Sequence, residues 1–122
     1  MRQQHVYVVI KVPRKISVDG AISQMTSVDK FITYLMLVNK ICFRGKPKHY
    51  KTEEVIRKMC PPKVRQLFSL NNLKRLGVVY SLPKKGNLVA LEGFGIKVGE
   101  RLHETGEAKK VFELYGQEFV PL

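Results

Sequence analysis

Two adjacent prolines in the middle of the chain, within Met59-Cys-Pro-Pro-Lys63, constrain its fold more than any other feature. A residue that precedes proline is pushed out of helical geometry, so a helix arriving at Cys60 ends there. Proline is favoured at the first position of a helix, so a new one starts at Pro62. In the segment before the prolines, Thr52 is a cap and Glu53 and Glu54 sit where the helix dipole is positive. Val55, Ile56 and Met59 supply its apolar face. The segment after Pro62 reaches Leu76 and meets Gly77, the usual residue for a left-handed C-terminal cap. The spacing predicts two helices, at about 52–60 and 62–76, joined by a tight proline-containing turn.

The flanking sequence supplies further elements. His5 to Val12 is β-branched and aromatic, is closed by Pro13, and reads as a strand. Ile16 and Val18 then alternate with polar residues, and Asp19-Gly20 suggests a turn. Ser27 is placed to cap a first helix over Val28 to Cys42. That helix is apolar nearly all round, with Phe31, Leu35, Val38 and Cys42 in one stripe and Ile32, Met36 and Leu37 in another. Such a helix is either central in a core or shared between core and partner. Phe43 to Lys51 reads as a loop by its Gly and Pro. Beyond Gly77, Val78–Leu82 and Leu88–Leu91 form a hairpin around the turn Pro83-Lys-Lys-Gly-Asn87. Phe94, Val98 and Leu102 mark a helix at about 94–103, in which Gly95 and Gly99 either weaken it or permit close packing. Ala108, Val111, Phe112 and Tyr115 mark a last helix, ended by Gly116 and followed by an apolar tail of Phe119, Val120 and Leu122.

At 122 residues the chain is expected to form one domain. No apolar run approaches the roughly 20 residues that span a bilayer, and the N-terminus lacks the pattern of a signal peptide, so a cytoplasmic location is expected. Cys42 and Cys60 read as buried thiols, with a disulfide between them as the open alternative. His5, His49 and His103 have no paired-ligand spacing, so no metal site is expected. Glu53 and Glu54 point about 100° apart on a helix and do not form a catalytic pair. Gly93-Phe-Gly-Ile-Lys-Val-Gly99 matches neither the dinucleotide spacing nor the Gly-Lys-Ser/Thr ending of a nucleotide-triphosphate loop. The expectation is a protein that is not an enzyme and needs no cofactor. Its charge is more informative. Residues 40–85 hold thirteen Lys and Arg against two acids, Glu53 and Glu54, whereas residues 86–122 hold four against six. A concentrated block of this kind predicts a positive face that attracts a polyanion.

Over about residues 28–103 the order of elements resembles the winged helix-turn-helix of small MarR-, ArsR- and PadR-type regulators. The resemblance rests on Leu70-Asn-Asn-Leu-Lys-Arg-Leu-Gly-Val-Val79, similar to a recognition helix entering its wing. It rests also on Leu91-Glu-Gly-Phe-Gly-Ile-Lys-Val-Gly-Glu-Arg-Leu102, similar to the segment after the wing. The implied fold is α+β, a three-helix core plus a β-hairpin wing, here with an N-terminal strand (1–27) and a C-terminal helix and tail (104–122). The implied activity is sequence-specific duplex DNA binding by a transcriptional regulator associated with the nucleoid.

In a continuous helix over 62–76, Arg65, Ser69 and Asn72 share one face opposite Val64 and Leu67. Arg suits guanine and Asn suits adenine in the major groove. Lys63, Lys74 and Arg75 flank that face and suit phosphates, as do Arg44, Lys46, Lys48 and Lys51 before the second helix and Lys84 and Lys85 at the wing tip. The plain alternative for each cluster is a solvated surface. The chain departs from the family pattern at Gln66 and Ser69, eleven and eight residues before Gly77, where apolar residues are usual. A shift, a kink or a later start of the recognition helix would each accommodate them. A homodimer through the first helix and the C-terminal helix is expected from their apolar surplus. The competing readings are a winged-helix RNA-binding or ribosome-associated protein and a protein-interaction winged helix within a larger assembly.

Overall fold

The computed structural model describes residues 16–42, 49–82 and 87–122. The strand expected at 5–12, most of the basic loop before the second helix, and the hairpin tip lie outside the described residues.

The chain forms seven described helices and one small sheet, an α+β arrangement compatible with a winged helix. A helix, α1 (Val18–Ser23), occupies the segment expected to turn at Asp19-Gly20. Ser17 caps it by accepting from the Gly20 amide at 2.9 Å, and Asp19 lies in the first turn, so cap and dipole outweigh the turn signal. The central helix, α2 (Ser27–Val38), begins one residue earlier than expected. Thr26 rather than Ser27 is its cap, in a reciprocal box: the Thr26 hydroxyl accepts from the Asp29 amide while the Asp29 carboxylate accepts from the Thr26 amide, each at 3.0 Å. The Ser27 hydroxyl instead shares a 2.8 Å hydrogen bond with Tyr115.

The same helix stops at Val38 rather than Cys42. Lys40 adopts a left-handed φ of 58°, and the Ile41 and Lys40 amides return to the Met36 and Leu37 carbonyls. That pattern is a Schellman cap. It recurs at Gly77 and Gly116, the two stops expected from sequence, where Val78 returns to Leu73 and Gln117 to Phe112.

A two-residue strand, β1 (Lys51–Thr52), ends the segment read as loop. It leads into α3 (Glu53–Lys58), which Thr52 caps by accepting from the Val55 amide at 3.2 Å. The helix expected over 62–76 is two helices, α4 (Pro62–Gln66) and α5 (Asn71–Arg75). A continuous helix that buries Leu73 and Leu76 would carry Ser69 and Gln66 into the core on the same stripe. The break at 67–70 lets Val64 and Leu70 go inside instead, leaving Gln66 and Ser69 exposed and Leu67 65% exposed. The Ser69 hydroxyl accepts from the Asn71 amide at 3.2 Å, a local bond that competes with helical continuation.

The hairpin of β2 (Val79–Leu82) and β3 (Leu88–Leu91) pairs Val79 with Leu91 and Leu82 with Leu88. Strand β1 adds to its other edge, pairing Thr52 with Leu88, and gives the antiparallel order β1-β3-β2. Two helices follow, α6 (Gly93–Thr105) and α7 (Glu107–Leu114), separated by Gly106 at φ 83°. Both pack on α2, whose Phe31, Ile32, Tyr34 and Met36 are buried. Phe31 stacks on Phe112 at 4.3 Å, and Tyr34 packs against Phe112 and Phe119. The all-round apolar surface of α2 and the stripe of the last helix are therefore covered within one chain. Of the surplus from which a homodimer was expected, Phe31, Ile32, Met36, Val111 and Phe112 are buried, whereas Val120 and Leu122 of the tail are 51% and 58% exposed.

Candidate nucleic-acid interface

The basic block of residues 40–85 is carried by the elements from the end of α2 to the hairpin. Its only two acids are both engaged within it. Glu53 pairs with Lys74 at 2.6 Å, tying α3 to α5, and Glu54 pairs with Arg57. Among the described residues, Lys40, Lys51, Lys58, Lys63, Arg65 and Arg75 are exposed and have no carboxylate partner. The Glu54 carboxyl is held below the usual carboxylate range, first by its hydrogen bond to Arg57, so it is ionised at neutral pH and offsets one charge.

The expected recognition face divides into parts with different surroundings. Lys63 and Arg65 stand exposed on α4. The Arg65 Nε donates to the Cys60 carbonyl at 3.2 Å, which fixes the guanidinium across the proline turn. Ser69 lies between the helices and is occupied by the Asn71 amide. Asn72 does not face outward. Its Nδ2 donates to the Asp29 carboxylate at 2.8 Å and to the Gln24 carbonyl at 2.9 Å, which fastens α5 to the start of α2. Its Oδ1 accepts from Arg75, whose guanidinium also donates to Gln24 Oε1 at 3.3 Å. The reading of Arg65, Ser69 and Asn72 as one base-facing row is thus corrected, because the row needs one unbroken helix. Lys74, expected on phosphate, is instead the partner of Glu53. Arg75 is a surface cation held by two neutral amide oxygens, so its charge is oriented without being neutralised.

Lys51 is exposed on the edge strand β1. Arg44, Lys46, Lys48, Lys84 and Lys85 lie outside the described residues.

Asp29 and Arg57 were not singled out from sequence, and Gln66 stood out only as a departure from the family pattern. Asp29, only 5% exposed, anchors α5; its signal was the Thr-x-x-Asp capping spacing at 26–29. Arg57 and Gln66 line a groove of about 310 Å³ with Pro62 and Arg65, and their approach depends on the angle between two short helices. Of the cysteines, Cys60 is buried and its thiol is pushed up to about 11 by that burial, with its Sγ donating to the Ile56 carbonyl. Cys42 and Cys60 are both buried and form no disulfide. No group of three or more potential metal ligands occurs among the described residues, and no described helix is long and apolar enough to cross a membrane.

No family model matches the chain, and neither a curated protein nor a solved structure matches it.

Proposed function

We propose that this chain is a duplex DNA-binding protein built on a winged helix-turn-helix, acting as a transcriptional regulator. The observation that carries the reading is the set of six exposed cations left over after Glu53 and Glu54 are neutralised inside the block. A protein-docking surface would be depleted in lysine, whereas a phosphate backbone is complementary to this one. The order of helices about the proline turn and the β1-β3-β2 sheet support the same reading. With Asn72 turned inward to Asp29, the larger share of affinity comes from phosphates. Regulation would follow from occupancy of a site near a promoter.

The test is a titration of a 20–30 base-pair duplex at about 50 and 200 mM salt, followed by fluorescence anisotropy. Neutralising several phosphates predicts a loss of affinity by orders of magnitude between those two conditions. Absence of binding to any DNA duplex at the lower salt overturns the reading. Tighter binding to a matched RNA duplex would transfer it to RNA, whose deep major groove does not admit a helix.

A further inference from the structure

We propose that the groove between α3 and α4 is a seat for one phosphodiester group, gripped by Arg65 and Arg57 with Gln66 alongside. The proposal rests on the DNA-binding reading for the source of that phosphodiester. The groove has a volume of about 310 Å³ and is lined by Arg57, Pro62, Arg65 and Gln66, with no acid among them. At about 30 Å³ per water, it has room for a phosphate and part of its flanking sugars.

Three features favour an anion there over bulk solvent. First, Arg65 is already oriented. Its Nε is used on the Cys60 carbonyl, while its two terminal nitrogens meet no acceptor among the described residues. A guanidinium held in this way offers a preset fork, the geometry that suits phosphate oxygens. Second, the local charge is positive. Two guanidinium groups outweigh the one Glu54 carboxylate, on which Lys58 also acts, so an anion entering the groove meets net positive charge. Third, the exposed Gln66 amide adds a neutral donor beside the two guanidinium groups. The seat lies beside the proline turn, so the feature that separates the two helices also sets the distance between their arginines.

The experiment follows the Nε–H resonances of Arg57 and Arg65 by nitrogen-15 NMR in two titrations, one with a 20 base-pair duplex at 50 mM salt and one with inorganic phosphate. In parallel, duplex affinity is measured against salt for Arg65→Gln, Arg65→Lys, Gln66→Glu and, as a control on α6, Lys97→Gln. The expected result is a shift of the Arg65 signal with duplex and a five- to tenfold loss for Arg65→Gln on every sequence. The salt slope should fall by about one. Arg65→Lys should recover only part of the loss, since it keeps charge without the fork. Gln66→Glu leaves the Cys60 contact intact and should weaken binding at least as much, which separates the seat from the integrity of the turn.

If the parent binds duplex while Arg65→Gln and Gln66→Glu match it in affinity and slope, the seat is overturned and the DNA reading stands. If duplex fails to bind but phosphate moves the Arg65 signal, the DNA reading is overturned and the anion seat is supported. If the parent binds no duplex and phosphate leaves the Arg65 signal unmoved, both are overturned.

Discussion

A β-carbon at position 95 would lie 2.0 Å from the Val78 carbonyl oxygen, and one at 99 would lie 2.7 Å from Leu37 Cδ2. The first collision is with backbone and the second with the end of a side chain that can turn away. Gly95→Ala is therefore expected to destabilise the protein by about 3 kcal/mol or more in denaturant unfolding, and Gly99→Ala by clearly less. Equal costs would show that α6 does not pack so closely on the Val78 carbonyl. From sequence alone these glycines were ambiguous between weak helix and close packing, because the deciding atoms belong to residues 17 and 62 positions away. The cysteine at 60 behaves oppositely: its burial was legible from composition, and its thiol, raised to about 11, stays protonated at neutral pH. Alkylation at pH 7.5 should leave Cys60 unmodified in the native protein and label it on unfolding.

Between elements, the fastening of α5 to α2 depends on Asp29, which serves both as partner in the Thr26 cap and as acceptor for Asn72. Asp29→Ala removes both and is expected to lower stability by about 1–3 kcal/mol. It should also weaken duplex binding through the misplaced Arg75; unchanged affinity would mean that α5 is not part of the binding face. A second tie, Lys30 to Glu107 at 2.8 Å, joins α2 to α7 and is partly exposed. The Lys30 hydrogen bond is the main cause holding the Glu107 carboxyl below its ordinary value of 4.5. A carboxyl depressed on folding stabilises above its unfolded pKa, and that contribution is lost as pH falls through the folded one. Screened by solvent, the pair is worth no more than about 1 kcal/mol. Glu107→Gln should thus lower stability slightly at pH 7 and leave it unchanged near pH 2, a difference readable from denaturation midpoints at the two values.

For the whole molecule, the placement of Phe112 decides what an acidic substitution there does. It is 4% exposed and stacked on Phe31, with Tyr34 and Phe119 against its edges. A dimer interface at this residue would leave Phe112→Asp as a folded monomer. Core burial instead predicts loss of cooperative unfolding, since even truncation of such an aromatic costs about 3–5 kcal/mol. Near-ultraviolet circular dichroism with sedimentation separates the two, and a folded 14 kDa species for Phe112→Asp would contradict the core assignment. The charge asymmetry is also a property of the whole: four bases against six acids after residue 85 leave that part of the chain slightly acidic, against the strongly basic block of 40–85.

What the sequence determined by itself was everything governed by neighbours along the chain. The proline turn, the stops at Gly77 and Gly116, the Thr52 cap, the existence of the hairpin and the crowding of positive charge all follow from local sterics, caps and composition. The tertiary structure decided the rest. It broke the helix at 67–70, deciding among the shift, kink or later start that Gln66 and Ser69 left open, because with Leu73 and Leu76 in the core a continuous helix would bury both. It turned Asn72 inward to Asp29 across 43 residues of chain and paired Lys74 with Glu53. It also closed α6 and α7 over a largely apolar α2 whose partner no periodicity could identify. Hydrophobic periodicity says that a face will be buried, and only the packing of the whole chain determines what buries it.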